Sequence, residues 1–123
     1  MARIRITAGK VSLEAELASS ATATALLKAL PITGKASRWG DEIYFTIPVE
    51  ADEEPEARAE MAVGEIAYWP PGNAFCIFWG PTPASSGAEP QAASPVNVLG
   101  KIAGDATKFA AVSSGAKVLI EKV

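Results

Sequence analysis

The residues best suited to binding or catalysis lie in one aromatic, proline-punctuated stretch, Gly64–Pro83, with the sequence GEIAYWPPGNAFCIFWGPTP. It holds two of the three tryptophans of the chain, and its single charged residue is Glu65. Sites for small molecules and peptides are mostly apolar with a few polar groups. Aromatic side chains also dominate the cores of small domains. The stretch is therefore either the lining of a binding cleft or core and lid packing, and both interpretations stay open at this point.

If the stretch forms a cleft, the polar groups for it are predicted to come from Tyr44, Tyr68, Asn73 and Asn97. Trp69 ends a predicted strand just before a turn, so it is the aromatic residue we most expect beside the cleft. The candidate ligand-binding residues share an aromatic ring or a side-chain amide: Trp39, Tyr44, Tyr68, Trp69, Asn73, Phe75, Phe78 and Asn97.

Nucleophilic, acid–base and metal chemistry is poorly provided for. The chain has no histidine and one cysteine, so a structural zinc site cannot be assembled. Cys76 lies in a region without lysine or arginine, which predicts a buried, inert thiol. The acidic residues of segment 50–60 follow no calcium-loop spacing. We interpret that segment as a solvated loop, with a weak cation site as the alternative, and predict neither a metal nor a cofactor.

Length and charge limit the class of protein. A chain of 123 residues fits a single domain spanning residues 1–123. The net charge of −3 and the absence of Lys and Arg between Glu60 and Gly100 argue against nucleic-acid binding. No apolar run is long enough for a membrane-spanning helix, and the first residues lack a signal-peptide pattern. With one cysteine, these features predict a cytoplasmic protein that does not bind membranes.

Alternating apolar residues predict a sheet-rich fold. Segments 2–7 and 10–17 alternate cleanly and predict a hairpin with an Ala8-Gly9 turn, which places Ile4 opposite Leu13. Further strands are predicted in GDEIYFTIPV, VGEIAYW, AFCIFW, VNVLGKI and AKVLIEKV. The segment AFCIFW is apolar on both faces, so this strand is predicted to be buried on both sides.

Helices and turns complete the predicted fold. SSATATALLKALP predicts a short helix capped by Ser19 or Ser20 and ended by Pro31, and GDATKFAAV predicts a second, capped by Asp105. PPGN predicts a type II turn with Gly72 at a central position, and a long loop follows at Gly80–Pro95. Gly100 predicts a bulge or a close approach. The simplest architecture is an all-β domain, a small closed barrel with two short helices over its ends.

The segments WGDEIYF, GEIAYWPPGNAFCIFWGPTP and SPVNVLGKI resemble a prokaryotic cyclophilin-like family of unknown function over nearly the whole chain. The resemblance implies a small closed barrel. The pattern is more remotely similar to the true cyclophilins, the peptidyl-prolyl isomerases, which use an arginine, a glutamine and a histidine. At the matching positions this chain has Phe45, Ala74, and Val96 or a neighbour, while Cys76 replaces one of a phenylalanine pair. No catalytic residue is therefore predicted.

The leading functional prediction is a cyclophilin-like protein that binds a small molecule or an extended peptide in an apolar aromatic cleft, without efficient isomerase activity. One alternative is a weak prolyl isomerase that uses Arg38 or backbone donors. The other is an oligomeric interaction module, in which a homo-oligomer hides an outer apolar face against another copy.

Overall fold

The computed structural model describes residues 2–123 as a mostly β protein with a single antiparallel sheet. One α-helix, α1 (Ala21–Ala29), and two 3₁₀ helices, Pro70–Gly72 and Ala106–Ala111, accompany the sheet. The strands of the described chain are β1 (Arg3–Ala8), β2 (Val11–Leu17), β3 (Ile32–Lys35), β4 (Ser37–Arg38), β5 (Glu42–Thr46), β6 (Arg58–Glu60), β7 (Glu65–Trp69), β8 (Ala74–Phe78), β9 (Gln91–Ala103) and β10 (Lys117–Lys122).

The strands are hydrogen-bonded in the order β3-β10-β1-β2-β9-β7-β8-β5-β4, and β6 pairs separately with β9. The predicted closed barrel is not confirmed, because the strand order ends at β3 and β4, and in the described residues no backbone ladder joins β3 to β4 or to β5. Strands β3 and β5 meet through a side chain instead. A Cβ atom on Gly34 of β3 would lie 2.6 Å from the Phe45 ring of β5, so the ring occupies the space that a side chain on β3 would need.

The β1–β2 hairpin forms as predicted, but its register differs from the prediction by two residues. The turn is Gly9-Lys10 rather than Ala8-Gly9, and Ile4 therefore pairs with Ala15 instead of Leu13. Gly9 has a φ of +57°, the conformation that a type II′ hairpin turn requires at its first central position. A shift of two residues leaves every side chain on its predicted face of the sheet.

The predicted first helix is confirmed as α1. The side-chain oxygen of Ser20 accepts a hydrogen bond from the Ala23 amide at 3.1 Å, and the helix ends before Pro31. The second predicted helix is a 3₁₀ helix, in which the Asp105 carboxylate accepts from the Thr107 amide at 3.1 Å. None of the helices in residues 2–123 has the length and apolar character needed to cross a membrane.

Strand β8 is buried on both faces, as predicted from AFCIFW. Phe75 and Ile77 point into the main core, the larger buried cluster, which also receives residues from β1, β2, β10 and α1. Ala74, Cys76 and Phe78 point the other way, into a second group of buried residues that we call the outer cluster. The remaining buried members of the outer cluster are Met61, Ala67, Ala92 and Val96.

Two segments predicted as loops contribute strands that cover the outer cluster. Strand β9 begins at Gln91, so the predicted loop Gly80–Pro95 is shorter than expected at its C-terminal end. The first half of β9 pairs with β6, a strand that lies within the predicted loop of segment 50–60. In this pairing Arg58 is opposite Val96. The segments are rich in Ala, Pro, Ser and Glu and have weak strand propensity, so their pairing depends on the cluster beneath them.

Gly100 combines both features predicted for it. Ile66 pairs with Gly100 and Ala67 with Val98, which leaves Leu99 as the extra residue of a bulge in β9. A Cβ atom on Gly100 would lie 1.9 Å from the carbonyl oxygen of Glu16 on β2. Only glycine therefore permits the observed approach of β9 to β2.

We expect Gly100→Ala to lower the free energy of unfolding by about 2 kcal/mol, because the added methyl group must push β2 and β9 apart. Urea denaturation measures the effect. Gly104→Ala is the matched control. The φ of Gly104, +146°, is close to the +159° of Gly100, but a Cβ atom on Gly104 would meet only Leu13, at 3.6 Å. Equal losses in the two variants would mean that backbone conformation, and not the contact with Glu16, makes glycine necessary.

Candidate functional site

A cavity of about 250 Å³ lies beside the outer cluster, and we call it the outer cavity. Its walls are mainly aromatic and aliphatic, with one carboxyl group and one thiol. The lining residues are Trp39, Glu42, Tyr44, Trp69, Cys76, Phe78, Ala92, Ala93 and Val96.

The floor of the outer cavity is the outward face of two paired strands. Side chains alternate between the faces of a strand, so Glu42 and Tyr44 of β5 share the face opposite to the main core. In the β5–β8 ladder Glu42 is opposite Phe78, and Tyr44 is opposite Cys76. These four side chains therefore form a compact block, and the first half of β9 adds the small residues of the wall.

Trp69 reaches the outer cavity from the end of β7. Its indole N–H donates a hydrogen bond to the Ser94 hydroxyl at 2.7 Å. The following turn is a 3₁₀ turn and not the predicted type II turn: Asn73 has the positive φ, +47°, and Gly72 does not. Glycine is needed at position 72 for another reason, since a Cβ atom there would lie 2.8 Å from the Trp69 ring.

Gly72→Ala should move the Trp69 indole and break its hydrogen bond to Ser94, while changing stability by less than about 1 kcal/mol. The indole N–H resonance of Trp69 in a ¹H–¹⁵N NMR spectrum reports the change. Gly87→Ala serves as control, because a Cβ atom there would meet only the flexible carboxyl of Glu89. An unchanged indole resonance in Gly72→Ala would contradict the packing described here.

Glu42 is the chemically unusual residue of the outer cavity. Only 4% of its surface is exposed, and burial raises the pKa of its carboxyl from 4.5 to about 7. A hydrogen bond from the Cys76 thiol lowers this pKa by a smaller amount. None of the ion pairs formed by the described residues includes Glu42. The cavity thus contains an acid that is partly neutral near pH 7.

Cys76 has two possible acceptors for its thiol proton. Its sulfur lies 3.9 Å from the Ala74 carbonyl oxygen, a weak contact, and the Glu42 carboxyl is the other acceptor. Burial, together with the negative charge of Glu42, raises the pKa of the Cys76 thiol well above its ordinary value. This direction agrees with the predicted inert thiol, because the reactive thiolate is disfavoured.

Four of the eight candidate ligand-binding residues meet at the outer cavity: Trp39, Tyr44, Trp69 and Phe78. Sequence reasoning missed Glu42 as a site residue and assigned Ala92 and Ala93 of the β9 wall to a loop. A signal for Glu42 was present, since it alternates onto the same face as Tyr44, opposite a strand that is apolar on both sides.

The other four candidates lie elsewhere. Phe75 and Tyr68 are fully buried in the main core, where the Tyr68 hydroxyl lies 3.0 Å from the side-chain oxygen of Asn73 in the turn. Asn97 is buried, and its amide donates to the carbonyl oxygen of Asp52 at 2.9 Å. These groups hold the acidic segment and the turn in place, and they take no part in the site proposed below.

Arg38, the candidate isomerase residue, is occupied by structural contacts. Its guanidinium donates to the carbonyl oxygens of Gly40 at 2.8 Å, Ala110 at 3.0 Å and Val112 at 3.1 Å. It also lies over the Trp79 ring, 5.0 Å from the centroid. Arg38 therefore fastens the second 3₁₀ helix to β4, and it is not among the residues that line the outer cavity.

Comparison with known proteins agrees with the resemblance seen in the sequence. The solution structure of a hypothetical protein from Archaeoglobus fulgidus is similar to this structure, with a TM-score of 0.84 and 38% sequence identity. The similarity covers 99% of this chain and 95% of the archaeal one. No curated protein matches the sequence significantly. A family model described as cyclophilin-like matches residues 2–121, and the chain therefore belongs to the cyclophilin-like family.

Proposed function

We propose that this protein binds a small molecule in the outer cavity and is not an efficient prolyl isomerase. The observation that carries the proposal is the cavity itself, about 250 Å³ with walls that include Trp39, Tyr44 and Trp69. These side chains are only partly buried, whereas the main core is filled by other residues. Apolar concave sites with few polar groups are where proteins usually bind small ligands.

An extended peptide is the less favoured ligand. The cavity is smaller than the roughly 300–1,000 Å³ typical of sites for drug-sized ligands. A peptide would need a groove or a free strand edge alongside the cavity. Both β5 and β7, which flank β8, are already paired on each side. A compact ligand fits these constraints better.

The isomerase alternative has no suitable arginine at the cavity. Arg38 donates to backbone carbonyl groups, and Arg3, Arg5 and Arg58 form ion pairs with glutamates. Without such a donor, no arginine at the cavity can lower the barrier of roughly 18–20 kcal/mol to rotation of the prolyl amide. We expect no acceleration in a protease-free isomerisation assay on a proline peptide. Acceleration that Arg38→Ala abolishes would overturn the binding-only proposal.

The oligomer alternative also lacks support from the surface. The outer apolar face is covered by the chain's own β6, β9 and loop residues. Among the described residues, the large hydrophobic side chains with high exposure are Val63 and Val123. A monomer in light scattering is the expected result. Cytoplasmic location remains a prediction from the sequence.

The test of ligand binding uses ¹⁵N-labelled protein and neutral probes that fit the cavity, namely indole, p-cresol and 3,3-dimethylbutan-1-ol at millimolar concentration. We expect saturable NMR shifts at the Trp69 indole N–H and at the Ala93 and Val96 amides, and weaker binding in Trp69→Ala. Val63→Ala, which removes an exposed apolar side chain outside the cavity, should bind normally. Shifts scattered over the surface, or none, would refute the proposed function.

A further inference from the structure

An apolar binding site alone does not explain why the Glu42 carboxyl is buried in the wall of the outer cavity. A buried carboxyl without a cationic partner is costly, and buried acids are normally paired. Here the lining contains no lysine or arginine, and the Cys76 thiol is a weak donor. A glutamine or an aliphatic residue would fill the same space at less cost. The carboxyl is therefore better explained by a positive charge that arrives from outside the chain.

A metal ion does not fit this position. Within residues 2–123 no group of three or more His, Cys, Asp or Glu side chains is arranged to hold one. Cations of the calcium and magnesium type need several oxygen ligands, and one carboxyl does not supply them. The thiol beside it has a raised pKa and remains protonated. The surrounding rings instead favour a cation that carries its own apolar surface.

The aromatic side chains in the walls of the outer cavity also favour an organic cation as the ligand. Trp39, Tyr44, Trp69 and Phe78 line the same cavity as the Glu42 carboxyl. The face of an aromatic ring attracts an organic cation, most strongly for tryptophan and more strongly when water is excluded. Three small residues, Ala92, Ala93 and Val96, leave room for methyl groups.

From this juxtaposition we propose that the outer cavity binds a small organic cation, whose alkylated ammonium group sits against the Glu42 carboxylate between aromatic side chains. The proposal deepens the proposed function and rests on it, because it assumes that the outer cavity is a ligand site. It names the shared chemistry, an ammonium group, which a free metabolite or a modified lysine side chain can present.

The test compares two probes of nearly the same shape, choline and its uncharged isostere 3,3-dimethylbutan-1-ol, at constant ionic strength and pH 8. We expect choline to bind at least about tenfold more tightly, since one charge interaction in a desolvated site is worth that factor. Glu42→Gln should remove the preference, so that the variant binds choline no more tightly than the alcohol. Glu53→Gln, an exposed acid with the same change in charge, should behave as the unmodified protein.

The pH dependence provides an independent readout. The titratable groups that line the cavity with Glu42 are the Tyr44 hydroxyl from β5 and the Cys76 thiol from β8. Because the cation binds the ionised carboxyl, choline affinity should fall about tenfold per pH unit below pH 7 and level off above pH 8. Affinity for the alcohol should not follow this curve.

The outcomes separate the inference from the function on which it rests. If the alcohol binds in the cavity and choline binds no more tightly, the ammonium proposal fails and the ligand site stands. If neither probe binds at millimolar concentration, both fail. A preference for choline that survives in Glu42→Gln also overturns the inference, provided that circular dichroism finds the variant folded. Acetyl-trimethyllysine amide serves as a further arm: tighter binding than choline identifies a modified side chain as the source of the ammonium group, and weaker binding identifies a free cation.

Discussion

Phe75→Ala should lower the free energy of unfolding by about 3–5 kcal/mol, the largest effect we expect from a single side-chain truncation in this protein. The Phe75 ring is fully buried in the main core, and its centroid lies 5.6 Å from that of Phe45. Its removal leaves a cavity that neighbouring strands cannot fill, since β8 is held by hydrogen bonds to both β5 and β7. Urea denaturation followed by circular dichroism measures the loss.

The loss of stability in Phe75→Ala should be compared with the loss in Trp69→Ala. Trp69 is only partly buried, borders the outer cavity and makes one side-chain hydrogen bond, to Ser94. We therefore expect it to cost less than half as much stability as Phe75→Ala, although it removes a larger ring. If the two substitutions prove equally destabilising, Trp69 is part of the core, and the argument for a binding site built around it fails.

Glu42 should make the protein less stable as the pH rises from about 4.5 to 7. Its pKa in the folded chain is about 7 because burial disfavours the charged form, whereas the unfolded chain has the ordinary value of 4.5. Between these values the folded state holds a proton that the unfolded state has lost, so each pH unit costs about 1.4 kcal/mol. The full loss is about 3 kcal/mol, complete above pH 7 and absent below pH 4.5.

The measurement compares unfolding free energies of Glu42→Gln and the unmodified protein at several pH values. Their difference should grow in favour of the glutamine variant by about 3 kcal/mol between pH 4 and pH 8, since glutamine resembles the neutral acid. Glu14, Glu65 and Asp105, whose pKa values are lowered, titrate alike in both proteins and cancel. A difference that does not change with pH would mean that Glu42 ionises as it does in water.

Much of the fold follows from the two-residue period of the strands. It places Ile4, Ile6 and Phe45 on the inward face, and it identifies β8 as a strand buried on both sides. Capping residues likewise indicate α1. The hairpin register escapes this reasoning, because a shift of two residues leaves the same faces buried and only the backbone of Gly9 distinguishes the two turns.

Part of the candidate site could be predicted from the sequence, and part of it could not. The position of Trp69 at a strand end and the alternation of Tyr44 onto the outward face of its strand indicate these two residues directly. The part of the wall formed by Ala92 and Ala93 has no such signal, since it is made of small residues flanked by proline, and it is a strand only because β6 and the outer cluster lie against it. The sequence pattern predicts Glu42 to be a solvent-facing acid, because the pattern does not show that β9 covers the outward face of β5.

The position of Cys76 gives the protein a built-in chemical probe. It is the single thiol of the chain, and it lies in the wall of the outer cavity. A thiol reagent that labels the folded protein must therefore have entered that space, and no other sulfhydryl can confuse the signal. Because the raised pKa of the Cys76 thiol disfavours the reactive thiolate, labelling is slow, and rates are comparable only at one pH. At that pH, an occupant that fills the cavity would lower the labelling rate in proportion to the fraction of protein molecules that hold it.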